Sequence, residues 1–366
     1  MRKILLFAAA LLTVTAANAK VWRINYDDNA QADFKTIAAC LSWNGFTEGD
    51  TLYMEPGVHN GSQANNTISK SCTILGPGWG FQSSTNSISE LESAVFNNNI
   101  LFNQKGISVN ISGIVAVGGI TGSNYTTTAY TLSNLIIERC YLSSLSALNA
   151  TNMVVKNCYI SGRMAIGLVT SGSIVGNIIR GQLDLTTPGV RLVVDHNTIV
   201  CNISSSQALV DMNTNTVFSN NIVINTGQAD NVAISSFLNP DYSMYNNVLS
   251  FTTATIEAAE YLGDHTYDLL KDPACTNKID ATIANTFTCH IAEGIVDNAM
   301  YYQVKDGAVA KTADSNGGEC GAFGGDFPYQ LNGRPNGVPY LYDINVPTHT
   351  TNNQLSISFK VAGNNE

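Results

Sequence analysis

Lys156, Arg163, Arg180, Asp184, Asp195 and His196 are the residues whose types and spacing come nearest to a reaction centre in this chain. A Lys or Arg can remove the proton beside a uronate carboxylate, provided calcium or further cations neutralise that carboxylate. The set is therefore the candidate for eliminative cleavage of an acidic polysaccharide. Hydrolysis asks instead for two clustered carboxylates, one to protonate the leaving oxygen and one to activate water. The only Asp–Asp pair, Asp27–Asp28, stands near the start of the chain and reads as a solvated turn. Each candidate also has a plainer reading. Glu138 with Lys156, and Arg180 with Asp184, are spaced as exposed pairs that contribute about 0–1 kcal/mol each. His196 stands beside a bend, where His and Asn are favoured for backbone reasons. The plainer reading is preferred, because no group of acidic calcium ligands accompanies the cations. Tyr141, Tyr159 and Tyr245 are the candidates for stacking on sugar rings, with Tyr141 and Tyr159 expected to form an exposed two-step ladder. No Cys or His spacing fits a metal centre. Neither metal nor cofactor is expected, calcium entering only with the lyase reading.

A repeated phrase positions these residues. LIIERCYL, MVVKNCYI, SIVGNII, LVVDHNTI, TVFSNNIV and SMYNNVL each run from an apolar strand to Cys or Asn, then any residue, then an aliphatic one. The marker residues Cys140, Cys158, Asn177, Asn197, Asn221 and Asn247 recur at intervals of 18, 19, 20, 24 and 26 residues. A period of that length with one strand per copy denotes a solenoid, whose copies must stack to bury their apolar sides. Three residues before each marker stands an apolar residue (Ile137, Val155, Ile174, Val194, Phe218, Met244), and two after it another. These columns predict inward positions either side of a bend. Asn at the marker suits a left-handed bend and can bond its neighbours' amides. Two residues before the marker, the outward column reads Glu138, Lys156, Val175, Asp195, Ser219, Tyr245.

The ends differ from this rod. Arg2 and Lys3, an apolar run from Ile4 to Val14 and Ala17-Asn18-Ala19 form an export signal over 1–19, so the mature chain is expected to start at Lys20 in the periplasm, at the cell surface or outside the cell. No other segment is apolar and long enough for a membrane span, and 28 acidic against 18 basic residues argue against a nucleic-acid partner. Residues 20–48 are expected to form an N-terminal cap, with Phe34, Ile37, Ala38 and Leu41 on one side of a helix that covers the first coil. The rod is expected over 49–330. An irregular excursion is expected at about 252–300 and a last, glycine-rich coil at 301–325. Period-2 runs in the extension 331–366 predict a β-hairpin. Cys40 with Cys72 and Cys275 with Cys289 are candidate disulfides, ahead of Cys140 with Cys158.

GDTLYMEPGVH at 49–59, CTILGPGWGF at 72–81 and GECGAFGGDFPY at 318–329, taken with the Asn repeats, carry a resemblance. The chain resembles a group of exported right-handed β-helix proteins of gut-type Gram-negative bacteria, within the pectin-lyase-like superfamily. The resemblance implies right-handed winding and no particular activity. The Asn-Thr-Asp, Asp-Asp, Gly-His-Gly and Arg-Ile-Lys set of polygalacturonase-like hydrolases is missing. The fold class expected is all-β: a single-stranded right-handed parallel β-helix with an N-terminal capping helix and a C-terminal hairpin. The function expected is binding of a polysaccharide or cell-surface component along the side of the rod. Lyase or hydrolase activity is the alternative, and a structural or adhesive rod the third.

Overall fold

A computed structural model describes residues 19–59, 65–79, 93–122, 131–185, 191–202, 210–212, 215–227, 234–235, 243–254, 257, 270, 272–288, 299–333, 340–345 and 358–362. The expected export signal lies outside them but for its last residue. The chain winds as a right-handed parallel β-helix with three faces. Face 1 stacks ten strands, from Val21–Ile24 to Ser243–Tyr245. Face 2 stacks nine short ones, from Gly57–Val58 to Val248–Leu249, and face 3 eight, from Asn65–Ile68 to Ile234–Ser235. Two 12-residue strands, Leu145–Lys156 and Met164–Val175, turn the corner from face 3 into face 1 and join both into one 16-stranded sheet. Every rung is parallel, and on face 1 the rungs run in register, so like positions pile up about 4.8 Å apart; the register shifts only at the corner within Leu145–Lys156, around Ser146–Ala150. On face 1 the inward column Ile111, Ile137, Val155, Ile174, Val194, Phe218 and Met244 is buried throughout. Leu142, Ile160, Ile179, Ile199, Val223 and Leu249 form the matching inward column of face 2.

The bend between faces 1 and 2 has a two-residue grammar. The left-handed residue is the one before the marker, not the marker itself: Arg139, Asn157, Gly176, His196, Asn220, Asn246 and Thr276 all have φ between 50° and 65°. The marker turns its side chain inward, where it replaces hydrogen bonds that the bend removes. Asn177 Nδ2 donates to Val155 O (2.9 Å), Val175 O (3.1 Å) and Asn197 Oδ1 (2.9 Å), and its backbone N–H donates to the same Oδ1. The arrangement repeats through Asn197, Asn221 and Asn247 and ends on Asn277, whose Oδ1 accepts from Asn247. At the other end Cys140 and Cys158 donate their thiols to the equivalent carbonyls, Ile111 and Glu138 for one, Ile137 and Lys156 for the other. Cysteine thus serves this column as a small buried donor, and burial pushes the Cys158 thiol far above its ordinary value. Cys40, Cys72, Cys140, Cys158 and Cys275 are all free thiols, contrary to the expected bridges; Cys289 lies outside the described residues.

Asn277 revises the expected excursion. Lys278 pairs with Val248, Asn246 N–H donates to Cys275 O and Asp280 N–H donates to Phe251 O, so residues 275–281 lay down one more coil edge. The N-terminal cap is a helix at Ile37–Ser42, opened by the Thr36 hydroxyl, which accepts from Ala39 N–H. Ile37, Cys40 and Leu41 face inward. Ala38 is exposed, and Phe34 precedes the helix, half-buried against Trp22 and Trp43. Tyr340–Asn345 and Ser358–Ala362 pair antiparallel as the C-terminal hairpin.

The segment 301–325 is not a coil. It belongs to a strap that runs back along the outside of the rod. Cys320 Sγ donates to Asn246 O and Gly321 N–H to Asn220 O, while Asn157 Nδ2 donates to Pro328 O and Arg139 Nη1 to Gly333 O. At Gly321, with φ at +86°, a Cβ would lie 2.6 Å from Ile222 Cδ1, so only glycine allows this approach. The strap buries the outer side of face 2: Val115, Tyr159, Ile178, Ile222 and Val248 form a second apolar cluster with Tyr302, Ala310, Ala322 and Tyr329.

Candidate functional site

The expected cation cluster is split between two places on the rod. Lys156 ends a face 1 strand and bonds Glu138 at 2.8 Å; Glu138 also accepts from Ser112 and lies 3.8 Å from Arg139. Arg163 stands before a face 3 strand and pairs with Asp184, the partner expected for Arg180. Arg180 instead lies past a face 2 strand with its guanidinium 5.9 Å from the ring centre of Tyr302 in the strap. Arg163 and Arg180 share the corner between faces 2 and 3 on adjacent coils, whereas Lys156 stands at the end of a face 1 strand, and each cation is already engaged. Among the described residues no group of three His, Cys, Asp or Glu side chains is arranged to hold a metal ion.

Asp195 and His196 do meet, through the bend that they share. The left-handed φ of 50° at His196 aims its ring outward beside Asp195, whose Oδ2 lies 2.6 Å from His196 Nδ1. The other oxygen, Oδ1, accepts from Ser219 Oγ at 2.7 Å and Asn220 Nδ2 at 2.8 Å, both on the next coil. On the far side His196 Nε2 lies 3.5 Å from Asp314 Oδ2, an ion-pair rather than a hydrogen-bond separation. Asp314 belongs to the strap, where its Oδ1 accepts from Asn316 N–H and Gly318 N–H. Burial works against charge at His196, yet Asp195 and then Asp314 outweigh it and raise the imidazole above its ordinary value. Burial likewise opposes charge at Asp195, but bonds from His196, Ser219 and Asn220 hold it below the usual carboxylate value. The result is a carboxylate–imidazole–carboxylate stack that ties strap to rod.

This geometry is that of a clamp. The hydroxyl of Ser219 is bonded to the carboxylate and not to the imidazole, so it is not placed as a nucleophile activated by His196. His196 is 6% exposed, and a Cβ built on Gly325 would lie 2.9 Å from its ring atoms, so strap backbone packs against the ring. Sequence reasoning singled out Asp195 and His196 and missed Asp314, because the glycine-rich segment read as a coil. It also missed Asn277, although Asn277-Lys278-Ile279 repeats the marker phrase.

The tyrosine ladder forms, but inside. Tyr141 and Tyr159 stack at 5.3 Å with an interplanar angle of 6°, and Trp79 meets both edgewise. Tyr159 is fully buried beneath the strap, in one cluster with the buried Tyr329, so it cannot stack on an external sugar. Tyr245 alone of the three is exposed, at the outer side of the last face 1 rung.

Face 1, unlike face 2, is open on its outer side among the described residues. Its outward columns carry Asn134, Asn152, Ser171 and Arg191 in one row and Val193 and Val217 in the next, all exposed. Asn134 Nδ2 donates to Ser108 Oγ at 3.2 Å, which sets the amides in a file along the axis. No family model, curated protein or solved structure matches this chain.

Proposed function

We propose that the protein is an exported β-helix that binds an extended carbohydrate chain along face 1 without cutting it. The observation that carries this reading is the contrast in availability. Every candidate catalytic group is engaged with a neighbour or with the strap, whereas a file of neutral amides and hydroxyls beside an aliphatic row stays exposed over successive rungs. A rung rise of about 4.8 Å is close to the length of one pyranose unit, so donors repeat in step with a sugar chain. Amide and hydroxyl groups bond sugar hydroxyls, and the aliphatic row accepts their C–H faces. The likeness to exported pectin-lyase-like β-helices agrees with a location beyond the inner membrane.

The test is retention of the mature chain, residues 20–366, on an array of uronate-containing and neutral glycans, with parallel assays for new reducing ends and unsaturated products. Retention without product is expected, weakened by Asn134→Leu with Asn152→Leu. Release of unsaturated product by the wild type, lost on Arg163→Ala with Arg180→Ala, would establish the lyase alternative instead.

A further inference from the structure

A cavity of about 430 Å³ opens where face 2 turns towards face 3 at the C-terminal end of the rod, away from face 1. Its floor is apolar, made by Ile224, Ala281 and Ile283. Its rim is polar and its groups are already oriented. Asp280 is fixed by Thr253, whose N–H and hydroxyl donate to its two oxygens at 2.9 and 2.6 Å, and each oxygen keeps a free lone pair. Thr282 Oγ1 accepts from Asn285 N–H and so has its O–H left to donate. Thr226 Oγ1 donates to Cys201 O and so has lone pairs left to accept. Among the described residues that line the cavity Asp280 is the only charged one, and Lys305, which is not among them, is engaged with Ala284 O at 2.5 Å.

An apolar floor under a rim of hydroxyls and one amide with a single negative charge suits a neutral ligand with a C–H face and several O–H groups. It disfavours a ligand carboxylate, which would meet Asp280 without a cation between them. We propose that this cavity is a subsite for one neutral pyranose unit, with Asp280 accepting from its hydroxyls and Ile224 and Ile283 beneath its ring. A single hexose fits this volume, which suits a chain end or a side branch. The inference rests on the reading of the protein as a glycan binder and adds both a second location and a charge preference.

Saturation-transfer NMR and calorimetry on the mature chain, with methyl glucoside, methyl galactoside, methyl mannoside and methyl glucuronide as probes, test it. Saturable binding of at least one neutral glycoside is expected, with the glucuronide at least tenfold weaker. Ala284→Trp, at an exposed lining position, should abolish that binding, and Asp280→Asn should shrink the discrimination against the glucuronide. Absence of binding by all neutral probes, equal binding of the glucuronide, or binding undisturbed by Ala284→Trp would each overturn the subsite. Array retention that survives Ala284→Trp but is lost in the face 1 variant, with no monosaccharide bound, would remove the subsite and leave the face 1 reading standing. Monosaccharide binding without any array retention would do the reverse.

Discussion

Faces 1 and 2 are built from the same coils, yet one is covered and the other is not. On face 2 the strands are two to four residues long and apolar on both sides: in Ile222-Val223-Ile224 the middle residue enters the rod and its neighbours enter the strap cluster. On face 1 the inward residues are equally apolar, but the outward ones are Asn, Ser, Thr, Val and charged pairs. A parallel sheet buried on both sides reads as a continuous apolar run, and a sheet open on one side alternates. The difference therefore separates a surface that serves cohesion from one available to a partner. It also explains why the aromatic pair that looked like a sugar platform is not one, since Tyr141 and Tyr159 belong to face 2.

The largest expected effect comes from breaking the covered face. Tyr159→Ala would remove a fully buried ring from between Tyr141 and the strap and should destabilise the fold by about 3–5 kcal/mol. Urea denaturation measures this; a loss below about 1 kcal/mol would mean that the strap does not pack as described. Next comes the column that both faces share. Asn221 Oδ1 accepts from the N–H and Nδ2 of Asn197, and its Nδ2 donates to Val194 O and Asn247 Oδ1. Asn221→Ala strands these buried groups and should cost about 3 kcal/mol. Asn221→Cys should cost roughly half as much, because a thiol restores the carbonyl bond, as Cys158 demonstrates, but not the acceptor. Equal midpoints for the two variants would contradict that account.

The rod was legible in the sequence because its order is local and periodic: one apolar column and one marker, repeated, determine strand, bend and inward face. The outward column from Glu138 to Tyr245 could be written down in register for the same reason. The strap was not legible, because its contacts join positions far apart in the chain, such as Ser315 with Asn220 and Gly333 with Arg139, with no period to announce them. One signal was present. The consecutive aliphatics Ile178-Ile179 and Ile222-Val223-Ile224 leave no residue for water to face, which implies a cover. The pairing of Asp184 with Arg163, one coil earlier, crosses the stack and was not announced by local spacing.

The clamp that joins covered face to strap gives the comparison a pH dependence. Folded His196 lies above its ordinary value, so its stabilisation is complete below about pH 6.5 and is lost as pH rises through the raised value. Asp195 lies below its ordinary value, so its share is complete above about pH 4 and is lost as pH falls through the lowered one. Asp314 faces the imidazole from the strap, with the Lys311–Glu319 pair (2.5 Å) in the same segment. The strap should accordingly be held best in mildly acidic solution. His196→Asn keeps a residue that tolerates left-handed backbone and removes the titration. Its deficit in urea midpoint should correspond to about 1–2 kcal/mol near pH 5.5 and shrink towards pH 9. A deficit that does not change with pH would show that the ring contributes packing alone.

The smallest effect on stability is expected where the functional effect is expected to be greatest. Val193 and Val217 stand side by side on the open face, 44% and 37% exposed. Changing both to Thr keeps the β-branched shape that suits a strand, and the new hydroxyls point to water, so stability should move by no more than about 0.5 kcal/mol. The same exchange on the covered face, Ile222→Thr with Val248→Thr, places hydroxyls under the strap without partners and should cost about 1–3 kcal/mol for each. Glycan retention should respond in the opposite order: reduced severalfold by the face 1 pair, which loses the aliphatic row, and unchanged by the face 2 pair at temperatures where it is folded. Equal destabilisation by the two pairs would mean that face 1 is covered after all. Retention lost through the face 2 pair alone would place the carbohydrate on the strap side and remove the reason for assigning it to face 1.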